Sequence, residues 1–161
     1  MTRPVNLLIG TTGSVAAIKV PEIIERFQSA GNTWKGKGDP VIHIDLRKWA
    51  DILVVVPLDA NTLAKVANGL CDNLLTCVLR AWDFTKPCVV CPAMNTHMWD
   101  HPFTGKHLRV LVDELHFRVI PPISKLLACG DLGIGAMAEP VDIMAKVTEI
   151  IRELDLTGDA L

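Results

Sequence analysis

An asparagine and a methionine three residues apart, Asn95 and Met98, stand in the segment Pro92-Ala93-Met94-Asn95-Thr96-His97-Met98-Trp99. That segment follows a short apolar run, Cys88-Val89-Val90-Cys91, which reads as a buried parallel strand whose ladder Pro92 ends. Open α/β sheets bind ligands beyond the carboxyl ends of their strands. There the Asn95 amide could grip a carboxylate and Met98 could line the site. Two other strand-to-helix turns offer binding chemistry. Thr11-Thr12-Gly13-Ser14-Val15 joins the first strand to a helix. Free N–H groups and the macrodipole at such a helix start suit a phosphate, with Gly13 allowing close approach and Ser14 able to donate. It has neither G-x-G-x-x-G nor G-x-x-x-x-G-K-[ST], which argues against a dinucleotide or P-loop site. On its own it reads equally well as an ordinary turn with a serine cap. Asp59-Ala60-Asn61-Thr62 follows the run Ile52–Val56 in the same manner, either as a second ligand turn or as a helix cap by Asn61.

Two side chains could move protons. His43 lies on the helix expected after Asp39-Pro40, near one edge of its buried stripe, where a histidine is structural or a base working near neutral pH. Cys129 sits in Leu127-Ala128-Cys129-Gly130-Asp131-Leu132-Gly133-Ile134-Gly135-Ala136-Met137, a glycine-rich loop. Such a loop suits a lid that brings a proton donor to a site, or carries an incidental thiol. Cys88-x-x-Cys91 is not a redox or zinc pair on this reading. Residues three apart on a strand point to opposite faces, and no second ligand pair exists. Cys71 and Cys77 are likewise assigned to the core.

The elements that must position these groups alternate. Strands are expected at Val5–Ile9, Ile52–Val56, Cys88–Cys91 and Phe117–Ile120. Helices are expected at about Val15–Ser29 (Ala17, Ile18, Ile24 and Phe27 inward, broken at Pro21), from Asp39-Pro40 (Ile42, Leu46, Trp49), around Leu63–Leu70, and from Asp72 through Trp82. Two more follow at Pro102–His116 and Val141–Leu154, with Leu126 to Pro140 as loop. The pattern predicts an α/β fold, an open, Rossmann-like parallel sheet with helices on both faces.

The chain has 161 residues, half of them apolar, which fits one domain over 1–161 with one core. Its 16 basic and 18 acidic residues nearly cancel and form no basic block, so no nucleic-acid partner is expected. The longest apolar run, Ile52 to Leu58, is too short for a membrane span, and Met1 to Gly10 reads as a strand rather than a secretory signal. Five cysteines in no disulfide pattern suit a reducing compartment, so a cytoplasmic location is expected.

With P-x-M-N-x-x-M-W at Pro92–Trp99, G-S-V-A at Gly13–Ala16, D-A-N-T at Asp59–Thr62, G-D-P-V-I-H-I-D-L at Gly38–Leu46 and the Cys129 loop in order, the chain closely resembles the flavin-dependent cysteine decarboxylases. It is most similar to the branch acting on 4′-phosphopantothenoylcysteine in coenzyme A synthesis. The resemblance covers residues 5–31 and 36–150. It implies FMN as cofactor, held at Gly13, Ser14, Val15, Asp59, Ala60, Asn61, Thr62 and Ala93. It implies His43 as catalytic base, Cys129 as proton donor, Asn95 and Met98 as substrate contacts, no metal, and a homotrimer with FMN between subunits. A related possibility is a non-catalytic phosphatase regulator of the same fold, and another is a peptide-cysteine decarboxylase. The chain departs from the family in two places. Asp59 stands where serine is common. After Gly31-Asn32 the family continues through two more strands with a helix between, whereas here Thr33-Trp34-Lys35-Gly36-Lys37-Gly38 follows at once.

Overall fold

Ile52–Leu58 carries no residue that prefers water, and it runs through the middle of a parallel sheet with almost every side chain buried. The computed structural model describes residues 5–13, 41–126 and 132–157. In chain order the elements are β1 (Leu7–Gly10), α1 (Ile42–Trp49), β2 (Ile52–Leu58), α2 (Ala60–Ala67), α3 (Leu74–Arg80), β3 (Cys88–Pro92) and α4 (Thr96–Trp99). They are followed by α5 (Pro102–Arg109), β4 (Arg118–Val119), β5 (Ile123–Leu126), β6 (Leu132–Ala136) and α6 (Pro140–Thr157). Strands β1-β2-β3-β4 form one parallel sheet in that spatial order, while β5 and β6 pair as a separate antiparallel hairpin.

Alternation along the strands feeds two cores. Leu53, Val55, Cys88 and Val90 pack with Leu63 of α2, Val78 and Leu79 of α3, Trp82 just beyond it, and Leu111 in the turn that follows α5. Ile52, Val54, Val89 and Cys91 face α6 through Ile143, Val147 and Ile150. Helices on both faces explain why β2 and β3 are apolar throughout. They also place Cys88 and Cys91 on opposite sides, as their spacing requires. Burial pushes both thiols up, Cys91 to about 12, so neither is a nucleophile near neutral pH.

Several expectations are corrected. Strand β1 runs Leu7–Gly10 rather than Val5–Ile9, and β4 is only two residues long. Pro92 does not end its ladder. It pairs with Leu58 after a register irregularity, at the last strand position, where a missing N–H is tolerated. Leu126 to Pro140 is not all loop, because it holds β6. The helix from Pro102 widens at Val110–Glu114 into a π-turn. Helix α3 is capped by Asn73 rather than Asp72, in a reciprocal box with Thr76. Leu70 is exposed beyond the end of α2, and Trp49 is 44% exposed while Ala50 takes the buried place beside it. Cys71 is exposed and Cys77 half-buried, so neither is a core residue. The expected helix Val15–Ser29 and the Asp39-Pro40 start lie outside the described residues; α1 itself begins after Val41, with no side-chain cap.

The C-terminal end of α1 is satisfied from a distance. The Lys86 ammonium donates to the carbonyl oxygens of Arg47 (3.2 Å), Lys48 (3.3 Å) and Ala50 (2.7 Å). A cation there meets both the orphan carbonyls and the negative end of the helix dipole. Replacing it by Lys86→Met keeps the aliphatic stem and removes all three bonds. A loss of about 1–2 kcal/mol in urea unfolding is expected, with Lys86→Arg retaining most of the stability.

Candidate active site

The carboxyl ends of β1, β2 and β3 bring three turns to one rim of the sheet. The first two are fastened by a single hydroxyl. Thr12 is buried; its Oγ1 donates to the Pro57 carbonyl at 3.0 Å and accepts the Asp59 N–H at 2.9 Å. One residue on, Gly13 is exposed, with no atom of the described residues within 4 Å of where a Cβ would stand. The turn is therefore open to a ligand at the glycine and closed behind it at the threonine. Ser14 and Val15 lie outside the described residues.

At the second turn Asp59, not Asn61, is the cap of α2. Its carboxylate accepts the Thr62 N–H at 2.8 Å and its carbonyl accepts that of Leu63 at 2.9 Å. The Asp59 carboxylate is thus turned into the helix start. The N–H groups of Ala60 and Asn61 find no partner among the described residues, and the Asn61 side chain is exposed. Those two donors, with Gly13 opposite, fit a phosphate or other anionic acceptor.

At the third turn Ala93 is buried and its N–H donates to the Leu58 carbonyl at 2.9 Å, so the rim of β3 is tied to that of β2. Asn95 caps the short α4, its Oδ1 accepting the His97 N–H at 2.9 Å. That bond fixes the amide's orientation; its nitrogen end is the one suited to a carboxylate. Met98 is half exposed on α4. The hairpin β5–β6 clasps this loop. Gly133 and Gly135, two apart and so on one face of β6, lie against it. A Cβ on Gly133 would stand 2.5 Å from the Thr96 hydroxyl, and one on Gly135 would stand 2.2 Å from the Met94 carbonyl oxygen. Gly135 has φ of +147°, and its carbonyl accepts the Met94 N–H at 2.9 Å. The glycines that sequence reading assigned to loop mobility are thus close-approach residues. Cys129, between the two strands of this hairpin, lies outside the described residues.

His43 is half-buried near the start of α1. The helix leads through Ala50 into the amino end of β2. Sequence reasoning missed the Thr12 bridge altogether and misassigned the α2 cap. Asp59, standing three residues before the Thr62 N–H it accepts, was the available signal for the cap. No group of three or more His, Cys, Asp or Glu side chains suited to a metal occurs among the described residues. No helix there is long and apolar enough to cross a membrane.

Residues 27–152 match the Flavoprotein family. The chain is 46% identical to a probable phosphopantothenoylcysteine decarboxylase of Arabidopsis thaliana, covering 91% of this chain and 89% of the relative. It is 45% identical to the phosphopantothenoylcysteine decarboxylase of Mus musculus, over 94% and 89%. The Arabidopsis alignment runs over 179 residues, longer than the 161 of this chain, so it passes over positions that the relative has and this chain lacks. Among solved structures, a Cys-to-Ser mutant of PPC decarboxylase complexed with pantothenoylaminoethenethiol superimposes with a TM-score of 0.86 at 45% identity. That superposition covers 93% of this chain and 100% of the other. The FMN binding protein AtHal3 gives a TM-score of 0.81 at 45% identity, over 94% and 98%.

The Thr12 bridge gives a direct test of the rim. Thr12→Val keeps the shape and leaves the Pro57 carbonyl and the Asp59 N–H without their partner, a loss of about 2–4 kcal/mol. Thr12→Ser keeps both bonds and loses one methyl, about 1 kcal/mol. Urea unfolding of the two variants should separate them in that order.

Proposed function

The chain belongs to the flavoprotein family, on the side of its phosphopantothenoylcysteine decarboxylase relatives, and from that premise we propose that it catalyses the FMN-dependent decarboxylation of 4′-phosphopantothenoylcysteine to 4′-phosphopantetheine in coenzyme A synthesis. The observation that carries the proposal is the pair of turns joined through Thr12, with Gly13 open on one side and the Ala60 and Asn61 N–H groups on the other. On this reading Gly13, Ser14, Val15, Asp59, Ala60, Asn61, Thr62 and Ala93 form the FMN cradle, and Asp59 contributes by ordering the turn rather than by touching the phosphate. The chain acts as one flavoprotein unit, assembled as a homotrimer, in the cytoplasm.

Decarboxylation of a cysteine carboxylate has no electron sink of its own. FMN, held by the cradle residues Gly13 to Val15, Asp59 to Thr62 and Ala93, would supply that sink as a reversible hydride acceptor. His43 accepts the thiol proton as the side chain becomes a thioaldehyde. The Asn95 amide holds the carboxylate so that its breaking bond lies next to the new thiocarbonyl, which receives the electron pair as carbon dioxide leaves. Met98 lines the substrate, and Cys129 gives its proton as the product becomes saturated. The joint presence of His43, Asn95 and Cys129 favours an enzyme over a non-catalytic regulator.

The purified protein is expected to absorb at roughly 450 nm and to release FMN rather than FAD. Colourless protein that also refuses added FMN would remove the proposal. His43→Asn should retain the flavin and lose about 10²–10⁴-fold in carbon dioxide release; a rate within a few-fold of wild type would return His43 to a structural role.

Cys129→Ser separates the two halves of the reaction. It replaces a thiol of pKa roughly 8.5 by a far weaker acid of similar size. A single turnover should release carbon dioxide but stop at the unsaturated thiol with the flavin still reduced. Normal release of the saturated aminothiol would exclude Cys129 as the donor.

A further inference from the structure

Two thiols that the proposed reaction does not use stand together at the start of α3. Cys71 lies two residues before the cap Asn73, and Cys77 lies in the helix just past Thr76. The reciprocal Asn73–Thr76 box folds the segment back, so that the Cys77 thiol donates to the Cys71 carbonyl oxygen at 3.4 Å. That carbonyl belongs to the residue bearing the other thiol, and Cys71 is exposed. Burial first, then the charge and hydrogen bond of the Cys71 thiol, push the Cys77 thiol up. Cys88 and Cys91 cannot compete for either, being buried on opposite faces of β3.

We infer that Cys71 and Cys77 form a reversible dithiol–disulfide pair that clamps the first turn of α3. The oxidant is a small disulfide of the glutathione class. The exposed Cys71, as thiolate, attacks one sulfur of that disulfide, releasing one small thiol and leaving Cys71 in a mixed disulfide. Cys77 then loses its proton and attacks the Cys71 sulfur, releasing the second small thiol. Two protein thiols are oxidised, one small disulfide is reduced, and the two protein protons end on the two released thiols. Proximity makes the second step intramolecular and fast. In a reducing compartment the dithiol is the resting form, and the bond forms under oxidative load.

The clamp lies close to the rim described above. Leu75, in the same turn, fills the space beside Gly10, its Cδ1 standing 2.5 Å from where a Cβ on that glycine would be. Gly10 leads directly into the Thr11–Gly13 turn. Closing the disulfide is therefore expected to alter flavin retention, a consequence that rests on the FMN reading.

Trypsin cuts after Lys65 and Arg80, so both thiols fall in the single peptide Val66–Arg80, which contains no other cysteine. Holoprotein is incubated with oxidised glutathione, alkylated and digested without reductant. The expected peptide is unalkylated, two hydrogens lighter than the dithiol form, and restored by dithiothreitol. Cys77→Ser should give instead a stable glutathione adduct on Cys71, showing that Cys71 reacts first. The inference is overturned if the wild-type peptide carries alkyl groups on both cysteines, a lasting adduct on Cys71 beside a free Cys77, or a bond to a second chain. Flavin release from the oxidised holoprotein is expected to change by about fivefold. An unchanged rate in protein whose disulfide has formed overturns the link through Leu75. Protein that never holds FMN removes the FMN reading, while the peptide masses still decide the disulfide.

Discussion

One buried hydroxyl holds the rim of this molecule together. Thr12 sits where β1 ends and reaches the two residues that flank the end of β2, donating to Pro57 and accepting from Asp59. Its removal would leave the buried Pro57 carbonyl and the partly buried Asp59 N–H without the partner it gives them, which makes the hydroxyl structural. Its effect propagates. Asp59, positioned by Thr12, turns its carboxylate onto the Thr62 N–H and so fixes where α2 starts. Through Thr12 the turn that ends in Gly13 and the start of α2 are tied to each other. A serine at position 59 could cap the helix as well; the aspartate adds a charge that the helix dipole favours and that is spent before it reaches the site.

The third turn is held by exclusion rather than by attraction. Gly133 and Gly135 let β6 lie directly against Met94 and Thr96, where any side chain would collide with backbone or hydroxyl. The Gly135 carbonyl then closes the contact by accepting the Met94 N–H. Asn95 sits between these anchored neighbours, and its own cap on α4 removes its remaining freedom. An amide placed this way would need little reorganisation to meet a carboxylate. The hairpin β5–β6 is thus seated on the loop that carries Asn95.

The sequence was most legible where burial dictates residue type. Strands β2 and β3 are apolar on both sides because helices cover both faces, and this alone predicts a parallel sheet and puts Cys88 and Cys91 in separate cores. It was least legible where a polar atom acts at a distance. Nothing in Thr11-Thr12-Gly13 distinguishes the threonine that bridges 45 residues along the chain from its neighbour. Lys86 reads as a surface lysine until its ammonium is found at the end of α1, and alternating glycines read as a mobile loop until the strand facing them is in place. Periodicity also overstated the short elements. Trp49 lies on the apolar face of α1 by spacing yet is 44% exposed, because an eight-residue helix ends before its last turn reaches the core.

Helix α3 is where core and rim meet. Val78 and Leu79 are buried among the strands, Thr76 is buried by its capping role, and Leu75 one residue earlier presses on Gly10. A shift at the start of this helix cannot be absorbed by Val78 and Leu79, since close-packed side chains tolerate little displacement. It must pass instead to the less constrained side, which is Leu75 and the glycine that opens the first turn. The same geometry explains why glycine stands at position 10. A methyl there would meet the Leu75 Cδ1 at 2.5 Å, so the Leu75 side chain would have to turn aside from the strand whose end carries Thr12. The packing of α3 and the hydroxyl of Thr12 therefore act on one segment from opposite sides, and the position of Gly13 is set by their balance.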